Sequence, residues 1–237
     1  MSVRVERKDG VASLTLDRPE ARNALNVAMC EALVAAAQSL DDSIRLVLVR
    51  ASGPVFCAGA DLKERQGMSE AQVRARRHKA FAAYAALEAL PMPAIAVVEG
   101  PAIGSGCEIA AACDFIVATP AASFRVPEAL RGTVGATQRL PRILGKRLAK
   151  DLLFTGRSLS AQEAERHGLV SRIVEPADLE AVLAEIAKTI LEAPPRALRL
   201  AKRAVDQGVE RDPKGALEAE LAAIEEQLAL GDWMGRR

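Results

Sequence analysis

Glu108 and Glu128 are the residues of this chain whose type and context best suit the movement of a proton. Glu108 stands in "GPAIGSGCEIAAACD", just past Gly104 and Gly106, and Glu128 stands in "FRVPEALRG", directly after Pro127. Read singly, each acid has a plain structural use, because the helix dipole favours an acid in a first turn and a proline opens helices well. Read together, two carboxyl groups held close would push one pKa upward. One acid and one base would then be available near neutral pH, enough to handle a proton and a water. Nearby, the chain twice follows a strand-like run with small residues, in "CAGADLKE" and in "IGSGCEIA". The first turn of a helix carries N–H groups without intrahelical acceptors and about half a positive charge. Such an end suits an oxygen that is, or becomes, negative, and small residues let that oxygen come close. Taken alone, Gly104-Ser105-Gly106 reads equally well as a tight turn.

Other chemistries fit less well. Ile109 stands where a dinucleotide fingerprint needs its third glycine, and no ribose-binding acid follows at the right distance. Ile103 rather than glycine stands two residues before Ser105, so there is no nucleophile elbow, and the two histidines, His78 and His167, are remote in sequence. Cys30, Cys57, Cys107 and Cys113 lack metal-ligand spacing and sit among apolar or small residues, as reduced packed thiols do. No metal site is expected.

The elements that must position these residues alternate between two periodicities. "VRVERKDGVASLTLDRP" reads as a hairpin about Lys8-Asp9-Gly10, and "NVAMCEALVAAAQSLDD" as a helix. "IRLVLVRA" is a buried strand broken by "SGPVFCAGADL". Ser69 to Leu90 is a helix with Ser69 and Gln72 as a capping box, and "PMPAIAVVEG" brackets another strand with prolines. A short helix over about Cys107 to Cys113 and the strand "FIVATP" follow. This order predicts an α/β fold with crossover connections. Ser160, Glu163 and Gly168 start and stop a further helix, and helices dominate from Asp178, with Pro194-Pro195 dividing two of them. His167 reads as a helix-end residue.

With 237 residues, half of them hydrophobic, the chain has ample material for a core, while aromatics make up only 3% and net charge is +1. Neither the charge nor the aromatic content suits a nucleic-acid binder. No apolar run approaches the roughly 20 residues of a membrane span, and the polar opening "MSVRVERKDG" does not read as a signal peptide, so a cytoplasmic protein is expected. The basic run Arg74 to Lys79 reads first as a solvated helix face and second as a contact for ligand phosphates.

In order and at their spacing, "RPEARNALN", "FCAGADLKE", "GPAIGSGCEIAAACDFIVAT", "FRVPEALRGTVGATQRLPRILG" and "LLFTGRSLSAQEAERHGLVSRIVEP" resemble the enoyl-CoA hydratase/isomerase (crotonase) family. The resemblance runs from about residue 3 to residue 205. It implies a crotonase-like spiral of ββα units over residues 1–190. Residues 191–237 would then form a shortened C-terminal helical region that serves oligomerisation or covers the site. It also implies an acyl-CoA thioester as substrate, no resident cofactor, and a homotrimer or dimer of trimers. Carried over by position, the oxyanion N–H groups fall on Ala60 and Ser105, and the two hydratase glutamates on Glu108 and Glu128. Ala24, Ala58, Asp61, Leu62, Lys63 and Gly104 fall at the substrate-binding positions. The activity implied is reversible hydration of a 2-enoyl-CoA. Isomerisation or thioester hydrolysis on the same scaffold is the alternative, and a non-catalytic acyl-CoA-binding subunit the alternative of another class. Three departures stand out: Ser105 in place of the family's usual glycine, a "GTVGATQRL" segment shorter than the common version, and an early end at "LALGDWMGRR", where Trp233 reads either as a pocket cover or as a frayed end.

Overall fold

A computed structural model describes residues 2–229. The expected hairpin is formed by β1 (Val3–Lys8) and β2 (Val11–Leu16), antiparallel about Asp9 and Gly10, whose φ values of 49° and 82° suit a tight two-residue turn. Helix α1 (Val27–Gln38) starts where the Asn26 side chain accepts from Met29 N, and β3 (Leu46–Ala51) follows. After the one-turn α2 (Leu62–Arg65) comes the long α3 (Glu70–Glu88). Its capping box is the one the spacing predicts: Ser69 Oγ accepts from Gln72 N at 3.3 Å, and Gln72 Oε1 accepts from Ser69 N at 2.8 Å.

The chain continues through β4 (Ala94–Val98), β5 (Pro101–Ile103), α4 (Ser105–Ala111), β6 (Phe115–Ala118) and β7 (Ser123–Arg125). Then come α5 (Arg139–Thr155), β8 (Ser158–Ser160), α6 (Ala161–Arg166), β9 (Arg172–Ile173), α7 (Leu179–Glu192), α8 (Pro195–Gly208) and α9 (Pro213–Leu228). The main sheet has the order β1-β2-β3-β4-β6-β9 and is parallel from β2 onward. A second sheet, β5-β7-β8, stands beside it. This is the expected α/β fold with C-terminal helices.

The apolar runs of β3 and β4 are covered on both faces, which is why they read as continuous rather than alternating. Val47, Val49, Ala94, Ala96 and Val98 face the large core under α1 and α3. Leu46, Leu48, Ile95 and Val97 face the other way, against Leu179, Leu183 and Ile186 of α7.

Two details depart from expectation. Helix α4 starts at Ser105, two residues before the Cys107 that its composition indicates, because Gly and Ser are weak helix formers but fit a first turn well. The second sheet is invisible to periodicity, since each of its strands has three residues. Trp233 lies outside the described residues. Among the described residues no helix is long and apolar enough to cross a membrane.

Candidate active site

The two small-residue segments meet at the start of α4. Cys57 and Ala102 form a parallel bridge, with Ile103 N donating to Cys57 O at 2.8 Å and Cys57 N donating to Pro101 O at 3.2 Å. A Cβ on Gly106 would stand 2.5 Å from Cys57 O, so only glycine lets the helix start lie against this strand end. Gly106 is thus small for the contact of one backbone segment with another, a use the sequence alone does not indicate. On its other side the segment bridges to Leu25. Leu25 N donates to Gly59 O at 2.8 Å, and Asp61 N donates to Leu25 O at 2.9 Å. Successive amides of an extended chain point to opposite sides, so the Ala60 N–H turns away from Leu25. Ser105 N is in the first turn of α4, before the first helical bond from Glu108 N to Gly104 O (3.1 Å). Neither the Ala60 nor the Ser105 N–H has a backbone acceptor among the described residues.

Ala60, Ser105, Glu108 and Glu128 all line one cavity of about 100 Å³, which Gly135 and Ala136 help to close. A larger groove of about 810 Å³ between α8 and α9 shares no residue with it and is lined mainly by apolar side chains. The sequence-derived carboxyl groups and N–H positions thus gather in the smaller cavity.

The two carboxyl groups differ in surroundings. Glu108 is buried, and its Oε2 accepts from Arg139 Nη1 at 2.8 Å. Arg139 reaches Glu88 Oε2 with its other nitrogen at 2.6 Å, and its guanidinium lies over the Tyr84 ring, 5.7 Å from the centroid. Glu128 has no such partner: its Oε2 is buried and unbonded. Burial pushes the Glu128 carboxyl above its ordinary range and the nearby Glu108 charge adds to this, against the opposing effects of its own backbone amide and of Arg131. Gly104 has φ 52°, and a Cβ there would stand 2.3 Å from Glu128 Oε1, so the carboxyl packs directly over this glycine. Gly135 crowds it from the loop side, where an added Cβ would meet Glu128 Cγ at 3.0 Å. Tyr84 lines the same cavity as Ser105, and burial raises its phenol, which is therefore neutral. Cys57 also lies close, but burial pushes its thiol up to about 12, so it packs as a thiol and is no nucleophile.

The remaining sequence-derived positions lie outside this cavity. Ala24 gives its carbonyl to Arg18 Nη1 at 2.6 Å, and Ala58 N donates to Arg22 O at 3.0 Å. Leu62 and Lys63 are exposed at the start of α2. Asp61 caps that helix, accepting from Lys63 N at 3.0 Å and Glu64 N at 3.2 Å, and pairs with Arg18 at 3.2 Å. Burial raises its carboxyl, but those amides and the Arg18 guanidinium together bring it below the ordinary range. Sequence reasoning missed Tyr84 and Arg139, and it read the Arg74–Lys79 run, which carries the cavity-lining Arg76 and Arg77, first as a solvated face. A signal existed: Val73, Arg77, Phe81 and Tyr84 follow one another at helical spacing on one face of α3. No group of three or more His, Cys, Asp or Glu side chains able to hold a metal occurs among the described residues.

A family model described as enoyl-CoA hydratase/isomerase matches residues 6–231. The chain is 39% identical to a "Probable enoyl-CoA hydratase 2, mitochondrial" from Arabidopsis thaliana, over 94% of this chain and 76% of that protein. Among solved structures it is similar to the enoyl-CoA hydratase of Bacillus anthracis, with TM-score 0.92, 38% identity and coverage of 95% of this chain and 90% of that one. It is also similar to a Thermobifida fusca protein in complex with acetoacetyl-CoA, with TM-score 0.87, 28% identity and coverage of 96% and 95%.

Proposed function

The chain belongs to the enoyl-CoA hydratase/isomerase (crotonase) family, and from that premise we propose that it reversibly adds water, in syn fashion, across the 2,3 double bond of an enoyl-CoA thioester. The observation that carries this is the single cavity shared by Ala60, Ser105, Glu108 and Glu128. The thioester oxygen lies between the Ala60 and Ser105 N–H groups. As water adds to C3, negative charge moves onto that oxygen, and the two donors stabilise it; losing one such donor costs about 3–4 kcal/mol of transition-state stabilisation. Glu108, fixed by Arg139, takes a proton from the water as its oxygen bonds C3. Glu128, whose burial favours its protonated form, delivers a proton to C2. Backbone near Ala24, Ala58 and Leu62, with Asp61 and Lys63, holds the coenzyme A portion outside the cavity. The chemistry needs no metal or redox group.

One observation favours a second reading. Glu108 is tied to Arg139 while Glu128 Oε2 is unpartnered, so Glu128 alone suffices to shuttle a proton between C2 and C4, as an isomerase requires. The test is incubation of purified protein with crotonyl-CoA and, separately, a 3-enoyl-CoA. Loss of the conjugated enoyl absorbance with crotonyl-CoA and no reaction of the 3-enoyl ester supports hydration. The reverse pattern supports isomerisation. Ester binding without turnover of either would make the protein a non-catalytic binder.

The proposal includes self-association. Val205 and Val209 of α8 and Leu217 and Ile224 of α9 are exposed around the apolar groove, which suits a trimer assembled through the C-terminal helices. Sedimentation at the mass of a single chain would rule this out.

A further inference from the structure

The cavity that holds the two glutamates is also lined by three arginines, Arg65, Arg76 and Arg77. Arg76 is neutralised, since its Nε pairs with Glu64 Oε2 at 2.9 Å and it also donates to Leu25 O, which ties α3 to the strand end that carries Ala60. Arg77 differs. Its only hydrogen-bond partners among the described residues are neutral: Val134 O at 3.2 Å and Thr133 Oγ1. Arg65, exposed where the cavity meets solvent, has no ion pair among the described residues. On the acidic side, Glu108 is matched by Arg139, so Glu128 is the one cavity carboxyl without a cation bonded to it. A half-buried guanidinium offers several N–H donors in a planar fork that suits a carboxylate, and two neutral oxygens leave its charge uncompensated.

We propose that the acyl chain this site selects ends in a carboxylate, with Arg77 as the residue that reads it and Arg65 adding positive charge at the cavity entrance. The proposal rests on the acyl-CoA reading above and deepens it. Arg77 holds the loop over residues 133–135, which packs against Glu128, so a ligand carboxylate at Arg77 stands just beyond the carboxyl that serves C2. This placement also gives the short "GTVGATQRL" segment a use. Its Thr133 and Val134 hold the arginine through their hydroxyl and carbonyl oxygens. A substrate of this kind is an enedioyl-CoA, a thioester at one end and a free carboxylate at the other.

The probes are pentanedioyl-CoA and pentanoyl-CoA, saturated esters of equal length that bind without turning over. The coenzyme A portion is common to both, so any role of Arg77 toward its phosphates cancels in the ratio of their affinities. Calorimetry on the wild-type protein is expected to give about 10-fold or more tighter binding of the dioyl ester, the size of a charge-assisted hydrogen bond. Arg77→Gln brings that ratio close to one, and Arg77→Lys recovers part of it. Equal binding of the two esters by the wild-type protein, or an unchanged ratio in Arg77→Gln, overturns the inference and leaves the acyl-CoA reading standing. Binding of neither ester removes both. Should Arg77→Gln fail to fold because the loop loses its anchor, the wild-type ratio and the Arg77→Lys ratio decide.

Discussion

Arg139→Met removes the one side-chain partner of Glu108 while keeping most of the volume. The bond it breaks runs 2.8 Å from Nη1 to Glu108 Oε2, between side chains only 17% and 7% exposed. The second arm, 2.6 Å to Glu88, reaches a side chain 55% exposed, and such a bond contributes about 0–1 kcal/mol. Breaking a buried pair by deleting one member costs about 3–5 kcal/mol, because a charge stays behind unpaired. Arg139 is near enough to solvent for water to replace part of it, which places the expected loss near the lower bound, about 3 kcal/mol. Urea unfolding at fixed protein concentration measures this. Crossing the change with Glu108→Gln separates the cause: the double variant should be more stable than the sum of the single losses predicts, by about 1–3 kcal/mol, since the orphaned charge is then gone. Catalysis should follow. With Glu108 free to turn, kcat for crotonyl-CoA falls about 100-fold while KM moves little, as for a group that acts only as the water reacts. A loss below about 1 kcal/mol, additive with that of Glu108→Gln, would show Arg139 to be an ordinary surface ion pair and refute its role in holding Glu108.

Three further changes test the same site. Gly104→Ala places a methyl 2.3 Å from Glu128 Oε1 on a backbone with φ 52°, so a stability loss of about 1–3 kcal/mol and a large drop in kcat are expected; normal turnover in a folded variant would remove Glu128 from the reaction. Gly106→Ala drives a methyl to 2.5 Å from Cys57 O, a backbone atom that yields only if the Ala60 segment moves, so kcat should fall more than binding, measured side by side with a saturated ester. The third concerns pH. Because the Glu128 carboxyl is raised in the fold, the native protein holds more protons than the unfolded chain just above the ordinary carboxyl range. Stability from this group therefore declines as pH rises from that range through the raised native value. Glu128→Gln should melt higher than wild type at pH 8, lose this difference toward pH 4, and be nearly inactive at both; equal melting at pH 8 would mean the carboxyl is not strained by burial.

Much of this fold is legible from local chemistry, and the parts that are not have a common reason. The hairpin at Asp9-Gly10, the Ser69–Gln72 capping box and the doubly covered runs of β3 and β4 declare themselves within a few residues, because turn, cap and periodicity are local properties. Strands β5, β7 and β8 do not, since three residues show no period and their pairing is decided by chain more than 20 residues away. The same division runs through the site. Glu108 and Glu128 each have a plain structural use from their local context, and they stand out in the sequence only as a pair and through the family resemblance. Nothing local announces that Arg139 will reach back 31 positions to Glu108, or that Arg77 will meet Thr133 and Val134. The bare backbone of the two glycine-containing turns is legible as a pattern, but its purpose is only half so. Gly106 is small so that strand end and helix start can touch, and the outward-facing amides follow from that contact.

This contact explains how the site divides its work. The proposed oxyanion donors belong to the main chain and are fixed by bonds that any side chain at residue 60 or 105 leaves in place: Leu25 with Gly59 and Asp61 on one side, Cys57 with Pro101 and Ile103 on the other. In the proposed role residue 105 contributes only its N–H, so a serine side chain there is compatible with it. The proposed proton-handling groups belong to side chains and depend on their neighbours: Arg139 for Glu108, and Gly104 with the loop over residues 133–135 for Glu128. On the proposed reading, a rigid main-chain cradle would stabilise the same developing charge whatever the acyl group, because electrostatic preorganisation would reside in the cradle. On that proposed reading, the choice among hydration, isomerisation and a particular acyl tail would fall to the few side chains that Arg139, Arg77 and residues 133–136 contact.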